Sequence, residues 1–332
     1  MYTLFSYNKI QPNAIAIVRE LTLLSHFPFH SNNTVASSLV LPDTHFLLEY
    51  VRPDMLLLRV LSRALIFWDQ VRPSGQWIDE QIPVVVKYTY DQMRVAAEKE
   101  DVANTSGLDR SGMGIANNEA DSDAALAAIQ DEAVDKHAVR QIYVHVVAGA
   151  CFGIGLRFAG TGDKRAASAI SSRLMELKSM REGNSLASAA LKPDHPVLEM
   201  CLGCVAISLA MVMAGTGDLD TLCLLRMLRW RCDDDIRYGN HMAYGAAIGL
   251  LFLGGGSFTL GRSPEDIAAL VLAFFPRFPS TTSDNQHHLQ ALRHCYALAV
   301  VKREIRAIDS DTGEIVSVPI EVSRSGTSTL YF

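Results

Sequence analysis

Three apolar stretches of this chain each end on a G-x-G, and each carries small residues at matching places. They close at Gly160-Thr161-Gly162, Gly215-Thr216-Gly217 and Gly254-Gly255-Gly256, and the first two share the string Ala-Gly-Thr-Gly-Asp. Repetition at about 40 residues constrains the fold strongly, because one such unit has no means of burying its own faces and must stack on its neighbours. Eleven and seven residues before the first glycine of each turn stand Gly149 and Gly153, Cys204 and Ser208, Ala243 and Ala247. Nine and five before it stand Cys151 and Gly155, Ala206 and Ala210, Gly245 and Gly249. In a helix each pair forms one i,i+4 row, and the two rows lie on nearly opposite faces. Large residues such as Ile154, Leu156 and Phe158 fall between them.

A helix that is small on two faces is sandwiched between neighbours. Each glycine costs a helix about 1 kcal/mol relative to Ala, so this many require a packing reason. The G-x-G then ends the helix, since a left-handed residue carries little penalty only for Gly. Asp163 and Asp218 follow as caps of a second helix. The spacing predicts these second helices over 164–177, 219–230 and 265–275, giving an all-α stack of helical hairpins.

Around the repeats, residues 1–35 are poorly specified apart from a helical patch at 14–24. Residues 36–97 read as a repeat-like helical segment, with helices at 44–50 and 55–69. In the second of these, Leu58, Leu61, Leu65 and Trp68 share one face and Arg59 and Arg63 form a basic pair on another. Trp77, Ile78, Ile82 and Val84 to Val86 read as an extended crossing. Residues 98–135 are acidic and poor in large apolar side chains, which predicts a disordered insert. The repeats occupy 136–304, with a loop at 179–194 and a last helix from Asn285 to Glu304. Residues 305–332 read as strand, turn and strand, the start of a β-containing module.

Of the 332 residues 49% are hydrophobic, and the formal charge of -6 gives no electrostatic case for nucleic acid. The N-terminus has no secretory signal, and the long apolar runs are interrupted by Gly, Ser and charge, which argues against a bilayer span. Six cysteines in a chain this long make no disulfide framework, which places the chain in the cytosol or nucleus.

Several motifs invite chemistry and have plainer readings. Gly256 to Ser263 mimics a phosphate loop with Arg262 in place of Lys, but a helix precedes it; Ser263-Pro264-Glu265-Asp266 reads as a helix start. Cys201 and Cys204 form a lone C-x-x-C, with Cys204 at a small-row position. His287, His288 and His294 lack ligand spacing, and Asp309-x-Asp311-x-Gly313 reads as a polar hairpin turn rather than a calcium loop. Asp233-Asp234-Asp235 reads as a solvated loop, and Arg59, Arg63, Arg226 and Arg229 as surface charges.

One segment carries a family resemblance. Gly249-Leu-Leu-Phe-Leu-Gly-Gly-Gly256, Ile267 to Leu270, Phe278-Pro279, and Asp284-Asn285 followed by His288-Leu-Gln290-Ala-Leu-Arg293-His294 resemble the family of the largest subunit of the anaphase-promoting complex, or cyclosome. Trp68-Asp69, Arg157 to Gly160 and Ser208 to Gly215 agree, and the resemblance runs from about Ser31 to Ser323, apart from the acidic insert. It implies proteasome/cyclosome repeats in a curved or toroidal α-α superhelix with a short β module. It implies a scaffold without catalysis, cofactor or metal of its own, in a hetero-oligomeric ubiquitin ligase of the cell cycle. The expected partners are cullin-like, RING and tetratricopeptide-repeat subunits, a coactivator and a substrate co-receptor, in nucleus and cytoplasm, with no nucleic acid or membrane. The same repeats occur in proteasome regulatory-particle subunits, which is the alternative setting. The family's chain is far longer, so the resemblance also implies a fragment or short form.

Overall fold

Polar side chains fix where the helices begin. Asp135 accepts from His137 N at 2.8 Å, Asp163 from Arg165 N and Ala166 N, and Asp218 from Thr221 N at 2.9 Å. Ser263 and Asp266 close a reciprocal capping box, with Pro264 in the first turn. The computed structural model describes residues 53–105, 135–183, 191–284, 289–304 and most of 307–331. The expected helices at 14–24 and 44–50 and most of the acidic stretch lie outside them.

The elements in order are α1 (Pro53–Ile66), a 3-10 turn (Trp68–Gln70), α2 (Gly75–Glu80), α3 (Val84–Thr105), α4 (Lys136–Arg157), α5 (Lys164–Glu182), α6 (His195–Val212), α7 (Leu219–Arg229) and α8 (Tyr238–Leu251). Then come β1 (Phe258–Leu260), α9 (Pro264–Ala273), a 3-10 helix (Gln290–Ala299) and β2 (Val300–Lys302). The described part of the tail holds β3 (Ala307–Ile308) paired with β4 (Ile315–Val316), and β5 (Glu321–Arg324) paired with β6 (Thr327–Tyr331). The architecture is an all-α repeat array with a short β module.

Helices α1, α4, α6 and α8 lie side by side as one layer, α4 packing between α1 and α6, and α6 between α4 and α8. The second helix of each repeat packs on the first helix of the next, α5 on α6 and α7 on α8. One hydrophobic core runs through the layer, with Phe152, Ile154, Leu156, Leu202 and Tyr244 fully buried. By length and composition α4 and α6 could cross a membrane, yet 94% and 78% of their most apolar windows are buried inside the protein, which makes them core helices.

The small rows explain the close spacing. A Cβ on Gly149 would stand 2.6 Å from the Leu57 carbonyl oxygen of α1, and one on Gly153 would stand 2.6 Å from Ala64 Cβ. On the opposite face a Cβ on Gly155 would meet Ser208 Cα of α6 at 2.9 Å. Ala206 and Ala210 are buried on α6, and Ala243 and Ala247 on α8. The expectation fails at Gly245 and Gly249. A Cβ there meets nothing within 4 Å, because no further helix stands beyond α8 among the described residues.

Four local expectations need correction. Trp77 to Val86 is not extended: Ser74 accepts from Trp77 N at 3.2 Å to start α2, and α3 begins at Val84. Val86 and Tyr90 share a face buried beneath the layer, Tyr90 stacking on Tyr143 at 3.8 Å, and this packing outweighs the strand preference of the valines. Helix α3 also continues to Thr105, into the stretch expected to be disordered. On α1 the buried face is Leu56, Leu57, Val60, Leu61 and Ala64; Leu58, Leu65 and Trp68 only flank it, and Arg59 and Arg63 are half-buried. The expected last helix is 3-10 over 290–299 and then gives way to β2, which pairs antiparallel with an unforeseen β1, Thr259 opposite Val301.

Two substitutions separate the rows. Gly149→Ala is expected to cost about 1–3 kcal/mol by overpacking against α1. Gly249→Ala is expected to add roughly 0.5–1 kcal/mol, since it relieves a helix glycine with no neighbour to strike. Urea denaturation of the two variants of this chain checks both signs.

Candidate functional site

The G-x-G turns are the joints between repeats. Gly160 N donates to the Met211 carbonyl at 2.8 Å and Gly162 N to the Val212 carbonyl at 2.9 Å. One repeat later, Gly215 N donates to Leu250 O and Gly217 N to Leu251 O, both at 2.9 Å. The acceptors are in the last turns of α6 and α8, where carbonyls have no partner within their own helix. The geometry needs positive φ, +68° and +63° in the first turn and +71° and +62° in the second. Thr161 and Thr216 donate their hydroxyls to Phe158 O and Met213 O at 2.7 Å and accept from Asp163 N and Asp218 N. Each turn thereby connects a helix end, a helix start and the neighbouring repeat.

A strand crosses these joints. Thr259 of β1 donates its hydroxyl to Gly160 O at 2.9 Å, and Arg303, just past β2, donates Nη2 to Ala214 O at 2.8 Å. Side chains at Gly160 and Gly215 would collide with the Leu260 and Phe258 carbonyls of β1. Gly254 and Gly256 also have positive φ, in a third turn that leads into β1. The phosphate-loop mimic is therefore a strap over the repeat joints, with its Ser263 hydroxyl engaged in capping α9.

A second feature is ionic. Glu199 is 1% exposed in α6 and receives Arg231 Nη1 on Oε1 at 2.7 Å and Nη2 on Oε2 at 2.8 Å. Arg181 Nε donates to Oε1 at 3.1 Å, and Tyr244 OH donates to Oε2 at 3.2 Å. Arg181 continues outward to Asp233 and Asp235, and His195 Nδ1 contacts Asp235. The cluster ties α5, α6, α8 and the loop after α7. Burial, then the carboxylate of Glu199, pushes the Tyr244 phenol far above its ordinary range, so it stays a neutral donor. Sequence reasoning read the three aspartates as a solvated loop and missed Glu199. Its only signal was one acid in the apolar run from Val197 to Val212.

The remaining motifs are structural. Cys201 and Cys204 are free and buried; burial pushes Cys204 up to about 12 and Cys201 well above its ordinary value, so both remain thiols at neutral pH. Among the described residues no group of three or more His, Cys, Asp or Glu could hold a metal ion. In the segment that carries the resemblance, Asn285 and His288 lie outside the described residues and His294 is exposed. Asp284 accepts from Ser280 N at 3.0 Å, and Gln290 accepts from Arg293 Nε. Arg293 fastens the end of α9, donating to the carbonyls of Ala273, Phe275 and Arg277 at 3.0, 2.7 and 2.6 Å and lying 4.3 Å from the Phe278 ring. Burial lowers it to about 10, which leaves it charged at neutral pH. Asp309 accepts from Asp311 N and Thr312 N in a closed turn.

The family model for the APC1 fifth domain matches residues 16–301. The chain is 40% identical over 301 residues to anaphase-promoting complex subunit 1 of Arabidopsis thaliana, covering 88% of this chain and 16% of that protein. Against the same subunit of Dictyostelium discoideum it is 38% identical over 310 residues, covering 90% and 13%. Against that of Homo sapiens it is 36% identical over 297 residues, covering 90% and 14%. The chain thus spans about one sixth or less of the length of these relatives.

Removing the Glu199 charge leaves two guanidiniums facing a buried site. Glu199→Gln is expected to cost about 3–5 kcal/mol in urea denaturation, and the pair Glu199→Leu with Arg231→Met should recover much of it. A pH effect follows from the caps. Hydrogen bonds from Thr221 hold the Asp218 carboxyl below its ordinary value, and burial only partly opposes them. For Asp163 burial works toward a raised value, and the N–H groups of Ala166 and Arg165 outweigh it. Both folded values lie below the unfolded one of about 4, so this stability is present above pH 4 and is lost as pH falls through the folded values. The melting temperature should drop on acidification below about pH 4, and the drop should be smaller in Asp218→Asn.

Proposed function

Because this chain belongs to the anaphase-promoting complex subunit 1 family, we propose that it is a repeat-bearing, non-catalytic scaffold segment of the anaphase-promoting complex, an E3 ubiquitin ligase of mitotic progression. The observation that carries the reading is the joint between repeats. Backbone hydrogen bonds from the first two G-x-G turns to the next helix link consecutive units at fixed spacing, which suits a part whose task is to hold others at set distances. The buried Glu199 cluster adds rigidity where α5, α6 and α8 meet. In this reading the chemistry of ubiquitin transfer belongs to cullin-like and RING subunits, and this chain positions them against tetratricopeptide-repeat subunits, a coactivator and a substrate co-receptor. No cofactor, nucleic acid or membrane enters the proposal, and its place is nucleus and cytoplasm.

The test is affinity purification of the tagged chain from its own cells, with mass spectrometry of what accompanies it. Cullin-like, RING and tetratricopeptide-repeat subunits are expected in near-stoichiometric amounts. Co-purification of proteasome ATPases would instead assign the repeats to the proteasome regulatory particle. Recovery of the folded chain without either set would remove the scaffold reading.

A further inference from the structure

The repeat supplies its own control for what its outer surface requires. Helices α5 and α7 follow the same Ala-Gly-Thr-Gly-Asp turn and begin on the same capping aspartate, so Lys164 corresponds to Leu219, Ser168 to Cys223, Ser172 to Met227 and Met175 to Trp230. All of these positions are exposed in both helices. In α5 the stripe is mostly polar. In α7 it is wholly apolar, with Leu219 71%, Met227 47% and Trp230 73% exposed and the free thiol of Cys223 between them. The spacing of four, four and three residues places the four side chains along one face of α7. Since α5 folds with a polar stripe at the same place, the repeat itself does not require the apolar one.

Charge differs as well. Arg226 and Arg229 flank the Trp230 end of the stripe, where α5 has Ser171 and Leu174. Both arginines are exposed, and neither has an ion pair among the described residues. At the other end stands the exposed Asp220. The third helix of this kind shows what can cover such positions. On α9 the counterparts of Arg226 and Arg229 are Val271 and Phe274, both buried, and Phe274 stacks on Tyr296 of the 3-10 helix at 6.2 Å.

We propose that the outer face of α7, the stripe from Leu219 to Trp230 with Arg226 and Arg229, docks an acidic amphipathic helix of a partner protein. The apolar side of that helix covers Met227 and Trp230, and its carboxylates pair with the two guanidiniums. Apolar anchors rimmed by charge are the usual anatomy of a helix-binding surface, with Trp and Arg as its dominant residues. The inference concerns one surface and stands whether or not the scaffold reading holds.

The test uses the full 332-residue chain and two labelled synthetic helices. Both carry a leucine stripe, one flanked by glutamates and the other by lysines. Fluorescence anisotropy is expected to show the glutamate peptide binding at least tenfold more tightly than the lysine peptide, with the Trp230 emission moving to the blue. Trp230→Ser should abolish binding by both peptides, and Arg226→Glu with Arg229→Glu should reverse the preference. Circular dichroism of the variants establishes that they are folded, which exposed positions favour. Equal affinity for the two peptides, no binding, or binding untouched by Trp230→Ser overturns the proposal. Concentration-dependent dimerisation lost in Trp230→Ser would also overturn it, by making a second copy of this chain the occupant.

Discussion

The hydrogen bonds from the glycine turns to the neighbouring helix ends hold the rest of the structure in place. A helix leaves its last carbonyls without internal partners. Here those of α6 and α8 are satisfied by the preceding repeat, through Gly160, Gly162, Gly215 and Gly217. The register between repeats is thereby set by backbone rather than by side chains. A shift of one residue would leave two carbonyls unpaired in each joint, at the cost of buried polar groups without partners. The small rows on α4 and α6 follow from the same constraint, since helices fixed so close have no room for larger side chains.

Polar groups inside the stack serve the same end. Glu199 is the kind of residue a helical core excludes unless every lone pair is answered. Arg231, Arg181 and Tyr244 answer it, and they come from three different parts of the chain. Arg293 does comparable work at the end of α9, where a fixed fork of donors meets three carbonyls. Strand β1 and Arg303 then close over the joints, so the loop after α8 is bound to the two repeats before it. The units of the stack are thus joined both by backbone hydrogen bonds and by these polar clusters.

Most of the helical repeat was legible from spacing. The G-x-G turns, Asp163, Asp218 and Ser263 as caps, and the second helices are local features, decided within a few residues by steric and hydrogen-bonding rules. Less of the candidate site was legible. The ladder from Gly160 to Met211 joins residues far apart in the chain, and the meeting of Glu199 with Arg231 depends on how α6 and α8 are placed. Val84 to Val86 were misread for a related reason: β-branched residues favour strands in isolation, and only burial against α4 makes that segment helical.

The sequence by itself determined that this chain repeats a helical hairpin, where each hairpin turns, and that its first helices are narrow on two faces, because those properties depend on neighbouring residues and on glycine. Tertiary structure decided which narrow faces are occupied. Among the described residues Gly149, Gly153 and Gly155 meet neighbours, whereas Gly245 and Gly249 with the same spacing do not. It also decided that β1 straps the joints, that an isolated acid in an apolar helix is neutralised by two arginines, and that the apolar stripe of α7 is left uncovered by the described residues. Each of these depends on what stands opposite a residue in space, and a pattern along one helix does not carry that information.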